Sequence, residues 1–186
     1  VNNPTGLFAW NYIQNSYNRI ELNNNDVYRQ LNAVLAGADD LVWIGSGGSG
    51  LFCYNPVNKS VKNFRNDPQD STSLRSDFIS VLTEDKEGNL WIGTSGKGLC
   101  SFNIARAAFT RYPFIYNSGS MVSNNELDDG TVHSMYIDKE GILWIGTNMG
   151  GLNRLDPRTG KFTSYLDLKS GFNLSLIHIS EPTRRS

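Results

Sequence analysis

Cysteine is nearly missing from this chain of 186 residues, which holds only Cys53 and Cys100. Two thiols cannot staple a small disulfide scaffold. They also fall on neighbouring positions of the repeat described below, facing opposite sides of a sheet, so no Cys53–Cys100 bond is expected. Histidine is as scarce: His178 lies in a tail set aside below, and His133 has no cysteine or serine motif beside it. Neither a zinc site nor a catalytic triad can be assembled from that. An excess of one charge is missing as well. With 17 basic and 18 acidic residues, and no Lys/Arg cluster within the repeats, the chain lacks the footprint of a nucleic-acid binder. No apolar run approaches the roughly 18 to 20 residues of a spanning helix. What the chain does have is 39% hydrophobic and 11% aromatic residues, enough to bury a core.

That apolar content is written as a repeat. Gly37 to Leu51, Asp85 to Leu99 and Asp138 to Leu152 align without a gap, and Trp43, Trp91 and Trp144 form one column. A partial copy opens the chain and places the last repeat glycine at 6, 50, 98 and 151, spacings of 44, 48 and 53 residues. Such a period, with short apolar strands between glycine-rich turns, predicts an all-β fold of four-stranded antiparallel propeller blades. In the third repeat the strands A to D are expected at Val132–Ile137, Ile142–Gly146, Gly151–Leu155 and Lys161–Tyr165. The second gives Ile79–Glu84, Asn89–Gly93, Gly98–Asn103 and Ala108–Tyr112, and the first gives Leu31–Ala36, Leu41–Gly45, Gly50–Tyr54 and Ser60–Phe64. Gly6–Asn11 and Tyr17–Glu21 supply strands C and D of a preceding blade. The predicted organisation is a half-blade with its connection over 1–30, blades over 31–78, 79–131 and 132–173, and a tail over 174–186, arranged as an arc of about three and a half blades.

Both ends read as cut. The chain opens at Val1 inside a partial repeat, and the run from Leu174 to Arg184 resembles a translated adapter used in preparing sequencing libraries. Residues 174–186 are therefore expected to take no part in the fold.

The stretches DKEGNLWIGTSGKGL and DKEGILWIGTNMGGLNRLDPRTGKFTSY, with Ser73-Leu74 ahead of the second repeat, resemble the two-component regulator propeller repeat. The first copy departs from it only at the A–B turn, where Gly37-Ala38-Asp39-Asp40 replaces DKEG. The resemblance implies a piece of the periplasmic ligand-sensing region of a hybrid sensor kinase. Its other implied parts are further blades, an immunoglobulin-like module, a membrane span and a kinase, in a dimeric parent. The implied ligand is a small molecule, often an oligosaccharide, and no cofactor or metal is expected. A propeller enzyme acting on polysaccharide, and a protein-interaction propeller, are the alternatives.

In an up-and-down meander the short A–B and C–D turns share one edge, and the B–C turns share the other with the long D–A connections. That variable polar edge is the one expected to carry a site. Asn32, Ser80 and His133 occupy one polar position near the start of the otherwise apolar strand A, where they are expected to approach the central channel. A ring meeting sugar hydroxyls and a ring bonding channel water are both open readings. Arg29, Arg75, Asp77 and Asn125, with Tyr28 and Tyr116 as stacking faces, are expected to line the rim. Glu126, Asp128 and Asp129 form the acidic cluster on that edge; solvated loop charge is weighed there against cation or sugar binding. Gly45-Ser46-Gly47-Gly48-Ser49-Gly50 matches the dinucleotide fingerprint G-x-G-x-x-G, but a strand follows where that site needs a helix, so it reads as a B–C turn. The tryptophan column reads as packing between blades. Asp85 and Asp138, with Glu87 and Glu140, read as the caps of A–B turns.

Overall fold

The computed structural model describes residues 7–11, 13–22, 30–114 and 126–165, and every regular element among them is a strand. A hairpin of β1 (Leu7–Asn11) and β2 (Ser16–Ile20) comes first. Blade 1 is β3 (Leu31–Ala36), β4 (Val42–Ser46), β5 (Leu51–Tyr54) and β6 (Val61–Phe64). Blade 2 is β7 (Ile79–Glu84), β8 (Asn89–Thr94), β9 (Leu99–Asn103) and β10 (Ala108–Arg111). Blade 3 is β11 (Val132–Ile137), β12 (Leu143–Thr147), β13 (Leu152–Asp156) and β14 (Lys161–Tyr165). Each blade is an antiparallel meander in sequence order, as the repeat predicted.

Each B strand extends one residue further than the apolar run implied, and the reason is chemical. The backbone N–H groups of Ser46, Thr94 and Thr147 donate to the carbonyls of Gly50, Gly98 and Gly151 at 3.2, 3.0 and 3.0 Å, and their hydroxyls donate to the same carbonyls. These buried hydroxyls close the B–C turn from inside. The last repeat glycine follows with φ of 83, 74 and 67°, a region that side chains with a Cβ rarely adopt.

The glycine of W-I-G has a different cause. A Cβ on Gly45 would lie 2.5 Å from Ile79 Cγ2, and one on Gly93 would lie 2.7 Å from Val132 Cγ1. Ile79 and Val132 each begin strand A of the next blade, so these glycines let one sheet approach the next. Sheets stacked this closely bury both faces, and the core consists of the layers between blades. Trp43, Leu51, Ile79, Leu90, Ile92, Cys100 and Phe102 fill the layer between blades 1 and 2. Trp91, Leu99, Leu127, Val132, Leu143, Ile145 and Phe162 fill the next layer, and Ile20, Leu22, Ile44 and Phe52 join the hairpin to blade 1.

The tryptophans point forward along the stack. Trp43 meets Phe102 of blade 2 edge-on at 5.7 Å, while Trp91 reaches Phe162 of blade 3 through Tyr112. Trp144, with no described blade beyond it, is half-buried against Tyr165. A buried indole also needs an acceptor for its N–H. Asp85 Oδ2 accepts from Trp91 Nε1 at 2.9 Å, and Asp138 Oδ2 accepts from Trp144 Nε1 at 2.8 Å. Blade 1 has Gly37 at that position, and Trp43 Nε1 is buried without a partner. Asp40 there takes the left-handed conformation (φ 58°) that Gly88 and Gly141 take in the other two turns.

Two substitutions test this arrangement. Asp85→Ala strands Trp91 Nε1 and two turn N–H groups, and should lower the unfolding free energy by about 2 to 3 kcal/mol in denaturant melts. Gly37→Asn brings an acceptor to Trp43 without a second carboxylate beside Glu84; its Cβ would lie 3.2 Å from Trp43 Nε1 and 2.9 Å from Glu84 Oε2, the free end of a side chain that must swing aside. It should act in the opposite direction and by less; equal losses in both variants would remove the indole cap from the account.

Candidate functional site

The edge that carries the D–A connections is tied to the B–C turns by backbone hydrogen bonds. Gly48 and Gly50 N–H both donate to Asp77 O at 3.0 Å, Gly98 N–H donates to Gly130 O at 2.6 Å, and Ser95 N–H donates to Phe78 O at 3.0 Å. The connections into blades 2 and 3 thus lie across the turn of the blade before, and the connection into blade 2 also meets the turn of its own blade through Phe78 O. The G-x-G-x-x-G run sits here, between β4 and β5, as a turn and not as the approach to a helix.

Strand A of every blade is bulged at the same place. Pairing slips between Leu31 and Ala33, between Ile79 and Val81, and between Val132 and Ser134, leaving Asn32, Ser80 and His133 as the extra residues. A bulge re-aims its side chain. Asn32 Nδ2 donates to Ile79 O at 2.9 Å, and Ser80 Oγ donates to Val132 O at 2.5 Å, so each reaches the first strand A residue of the following blade. His133 has no described blade beyond it; it is exposed, with Nε2 3.2 Å from Asn148 Oδ1 of its own B–C turn. The polar column is therefore in part a latch between blades. Sequence periodicity could not show this, because alternation assumes an unbroken register.

Of the rim residues, Asp77 is paired with Arg65 at 2.6 Å and accepts from Asn66 N–H at 2.7 Å. Arg75 Nη1 donates to Tyr112 O at 2.9 Å, and its guanidinium carbon lies 5.0 Å from the centre of the Phe114 ring. Burial pushes the Arg75 pKa below its ordinary value. Tyr28, Arg29, Tyr116 and Asn125 lie outside the described residues, as does the tail from 174 onward. Sequence reasoning missed Arg111. Its Nε donates to Ser73 O at 3.1 Å, and Nη2 donates to Asp70 O, Ser73 Oγ and Leu74 O at 2.9, 2.9 and 3.2 Å, fastening the connection that leads into blade 2.

Two members of the acidic cluster of the longest loop, Asp128 and Asp129, are engaged structurally. Asp129 accepts from Thr131 N–H at 2.9 Å and Met149 N–H at 2.7 Å, and Asp128 accepts from the Ser164 hydroxyl. No group of three or more His, Cys, Asp or Glu side chains that could hold a metal occurs among the described residues. On the opposite edge a cleft of about 200 Å³ is lined by Asp85, Glu87, Asn89, Glu140, Gly141, Pro157 and Arg158. Its deepest carboxylate, Asp85, is already engaged by the turn N–H groups of Glu87 and Asn89 and by Trp91. Both cysteines are free and buried, and burial pushes the Cys100 thiol up to about 11.

Stacked four-stranded meanders define a segment of a β-propeller. Its particular repeat has a match as well: residues 73–96 and 126–149 match the family described as the two-component regulator propeller. Histidine kinase P4 of Formosa agariphila is 35% identical over 116 residues, 60% of this chain and 8% of that protein. The extracellular domain of the hybrid two-component system BT3049 from B. thetaiotaomicron superposes with a TM-score of 0.64 at 22% identity, over 82% of this chain and 21% of that one. Virginiamycin B lyase from Staphylococcus aureus superposes with a TM-score of 0.57 at 16% identity, over 82% of this chain and 45% of the enzyme. At these identities the two solved structures speak for the fold. The chain spans a small part of the relatives it matches.

The turn carboxylates make stability depend on pH. Burial raises the Asp138 pKa, but hydrogen bonds from Trp144 Nε1 and from the backbone of Ile142 and Glu140 outweigh it and hold the carboxyl below its ordinary 3.8. A depressed native value contributes stability that is fully present above the ordinary aspartate range and is lost as pH falls through it. The melting temperature should fall between about pH 4 and pH 2, and less steeply in Asp138→Asn. An unchanged slope would place the acid sensitivity elsewhere.

Proposed function

We propose that this chain is part of the extracytoplasmic, periplasmic sensory region of a two-component sensor. In this reading it binds a small ligand, an oligosaccharide, on the D–A edge without turning it over, and the parent dimer passes the signal through the membrane to a kinase. The observation that carries the reading is the pair of two-component regulator propeller repeats, joined to a 116-residue relationship with a protein named a histidine kinase. The geometry supports it. Asp85 and Asp138, which recur in register, are spent on turn N–H groups and indoles on the edge away from the long connections, whereas a hydrolase would need a pair of carboxylates free to act on a bound sugar. The D–A edge instead presents donors and acceptors: His133 and Asn148 in blade 3, Arg75 above blade 2, and Asn32 and Ser80 at the blade junctions. Tyr28, Arg29, Tyr116 and Asn125 belong to the same connections and complete the proposed rim. A ligand shifts such a sensor only if it binds one of two states more tightly.

Calorimetric titration with a panel of oligosaccharides, followed by product analysis, tests the proposal. Saturable heat with no cleavage is expected, and cleavage products would move the chain to the enzymes. Because Asn32 and Ser80 also join blades, alanine there should cost about 1 kcal/mol each in stability. His133→Ala isolates the binding role: it should weaken saccharide binding several-fold while leaving the melting midpoint unchanged.

A further inference from the structure

Arg75 and Arg111 bring two positive charges to one place above blade 2, and neither is in an ion pair among the described residues, although the charge of Arg111 is felt by the Asp70 carboxylate. Arg75 stands where the D–A connection enters β7, and Arg111 ends β10; Cys100 on the intervening C strand feels the charge of both, and the field of Arg111 acts on Arg75. Like charges held in partly desolvated surroundings repel, and the cost grows as water is excluded. The usual remedy is a carboxylate. Among the described residues every acceptor of Arg75 and Arg111 is a carbonyl or a hydroxyl: Tyr112 O for Arg75, and Ser73 O, Asp70 O, Leu74 O and Ser73 Oγ for Arg111.

The carboxylates of the same connection are engaged with other groups. Asp77 is held by Arg65 at 2.6 Å, and Asp70 Oδ1 accepts from Thr72 N–H and Oγ1 at 2.8 and 2.6 Å. The ion pairs among the described residues are Arg19–Glu21, Arg65–Asp77 and Arg158–Asp156, and neither arginine above blade 2 takes part in one. Nor is either sealed in, since the stranded buried polar atoms are Trp43 Nε1 and Asn153 Oδ1. Arg75 uses one nitrogen on Tyr112 O, which leaves Nε and Nη2 open to an incoming group, and the Phe114 ring holds the guanidinium plane. A guanidinium fixed in orientation with a free edge matches two oxygens of one anionic group.

We propose that Arg75, oriented by Phe114 and supported by the charge of Arg111, is the subsite for an anionic group of the ligand, a carboxylate or a sulfate ester, so that this propeller recognises an acidic saccharide. The inference rests on the ligand-binding reading of the D–A edge and adds the charge of what binds there.

The test is titration of this chain with glucuronate, a sulfated glucose and glucose at one ionic strength. The two acidic sugars should bind saturably, glucose at least about tenfold more weakly. Arg75→Gln, which keeps a donor for Tyr112 O, should remove that preference without shifting the melting midpoint. A measurement on the unaltered chain guards against a misfolded variant: the Nε–Hε resonance of Arg75 should move on addition of inorganic sulfate and stay fixed with chloride. Equal affinity for glucose and glucuronate would overturn the anionic subsite while leaving the sensory reading intact. Binding of none of the sugars, with a sulfate-sensitive Arg75, would keep the anion site and overturn the saccharide. Whichever acidic sugar binds tighter identifies the group. An Arg75 resonance indifferent to sulfate, or full affinity in Arg75→Gln, would sink the proposal outright.

Discussion

The separation between neighbouring sheets is set where the B-strand glycine of one blade meets the first strand A residue of the next. Gly45 against Ile79 and Gly93 against Val132 leave no room for a methyl group, and that closeness governs the rest of the packing. With the sheets so near, the side chain at the strand A bulge reaches a carbonyl of the following blade, and the forward-pointing indoles are driven into its aromatic layer. Burying the indole creates the need for an acceptor, which the A–B turn meets with an aspartate six residues earlier. Turn, strand and interface are one linked requirement.

This linkage explains what could be read from the chain alone. Glycine columns, apolar strands and turn chemistry are local, so the strands, their order and the two edges were legible from the repeat. The indole cap was within reach as well: Asp85 and Asp138 stand at one offset from Trp91 and Trp144, and Gly37 breaks the column. Reading those aspartates only as turn caps gave half of their role. Asn32, Ser80 and His133 were legible as a polar column, but their direction depends on a bulge, and nothing in an alternating pattern announces a slipped register. Arg111 left no signal. It shares its repeat position with Asn63 and Ser164, and only the path of the connection shows why a long cation is needed there.

The two edges have diverged in electrostatics because they answer different demands. On the A–B and C–D edge, Asp85 and Asp138 are consumed by backbone N–H groups and indoles, so their charge is internal to the fold. On the D–A edge the connections differ in length and composition, and their charged groups are only partly matched among themselves. Variation collects where the repeat exerts no packing constraint, which is also where recognition can change without disturbing the sheets.

The latch between blades has a direction. Blades 1 and 2 extend a donor from the strand A bulge toward the next, and blades 2 and 3 offer the carbonyl of the first strand A residue to the one behind, so the two faces of blade 2 are different and mutually complementary. A unit with such unlike ends joins head to tail, and any copy fits behind any other. Duplicating one blade inside the gene therefore inserts a part whose plug and socket already match its neighbours. The number of blades can drift by whole units, with ring closure as the only geometric arbiter, while the connections on one edge evolve independently of that count.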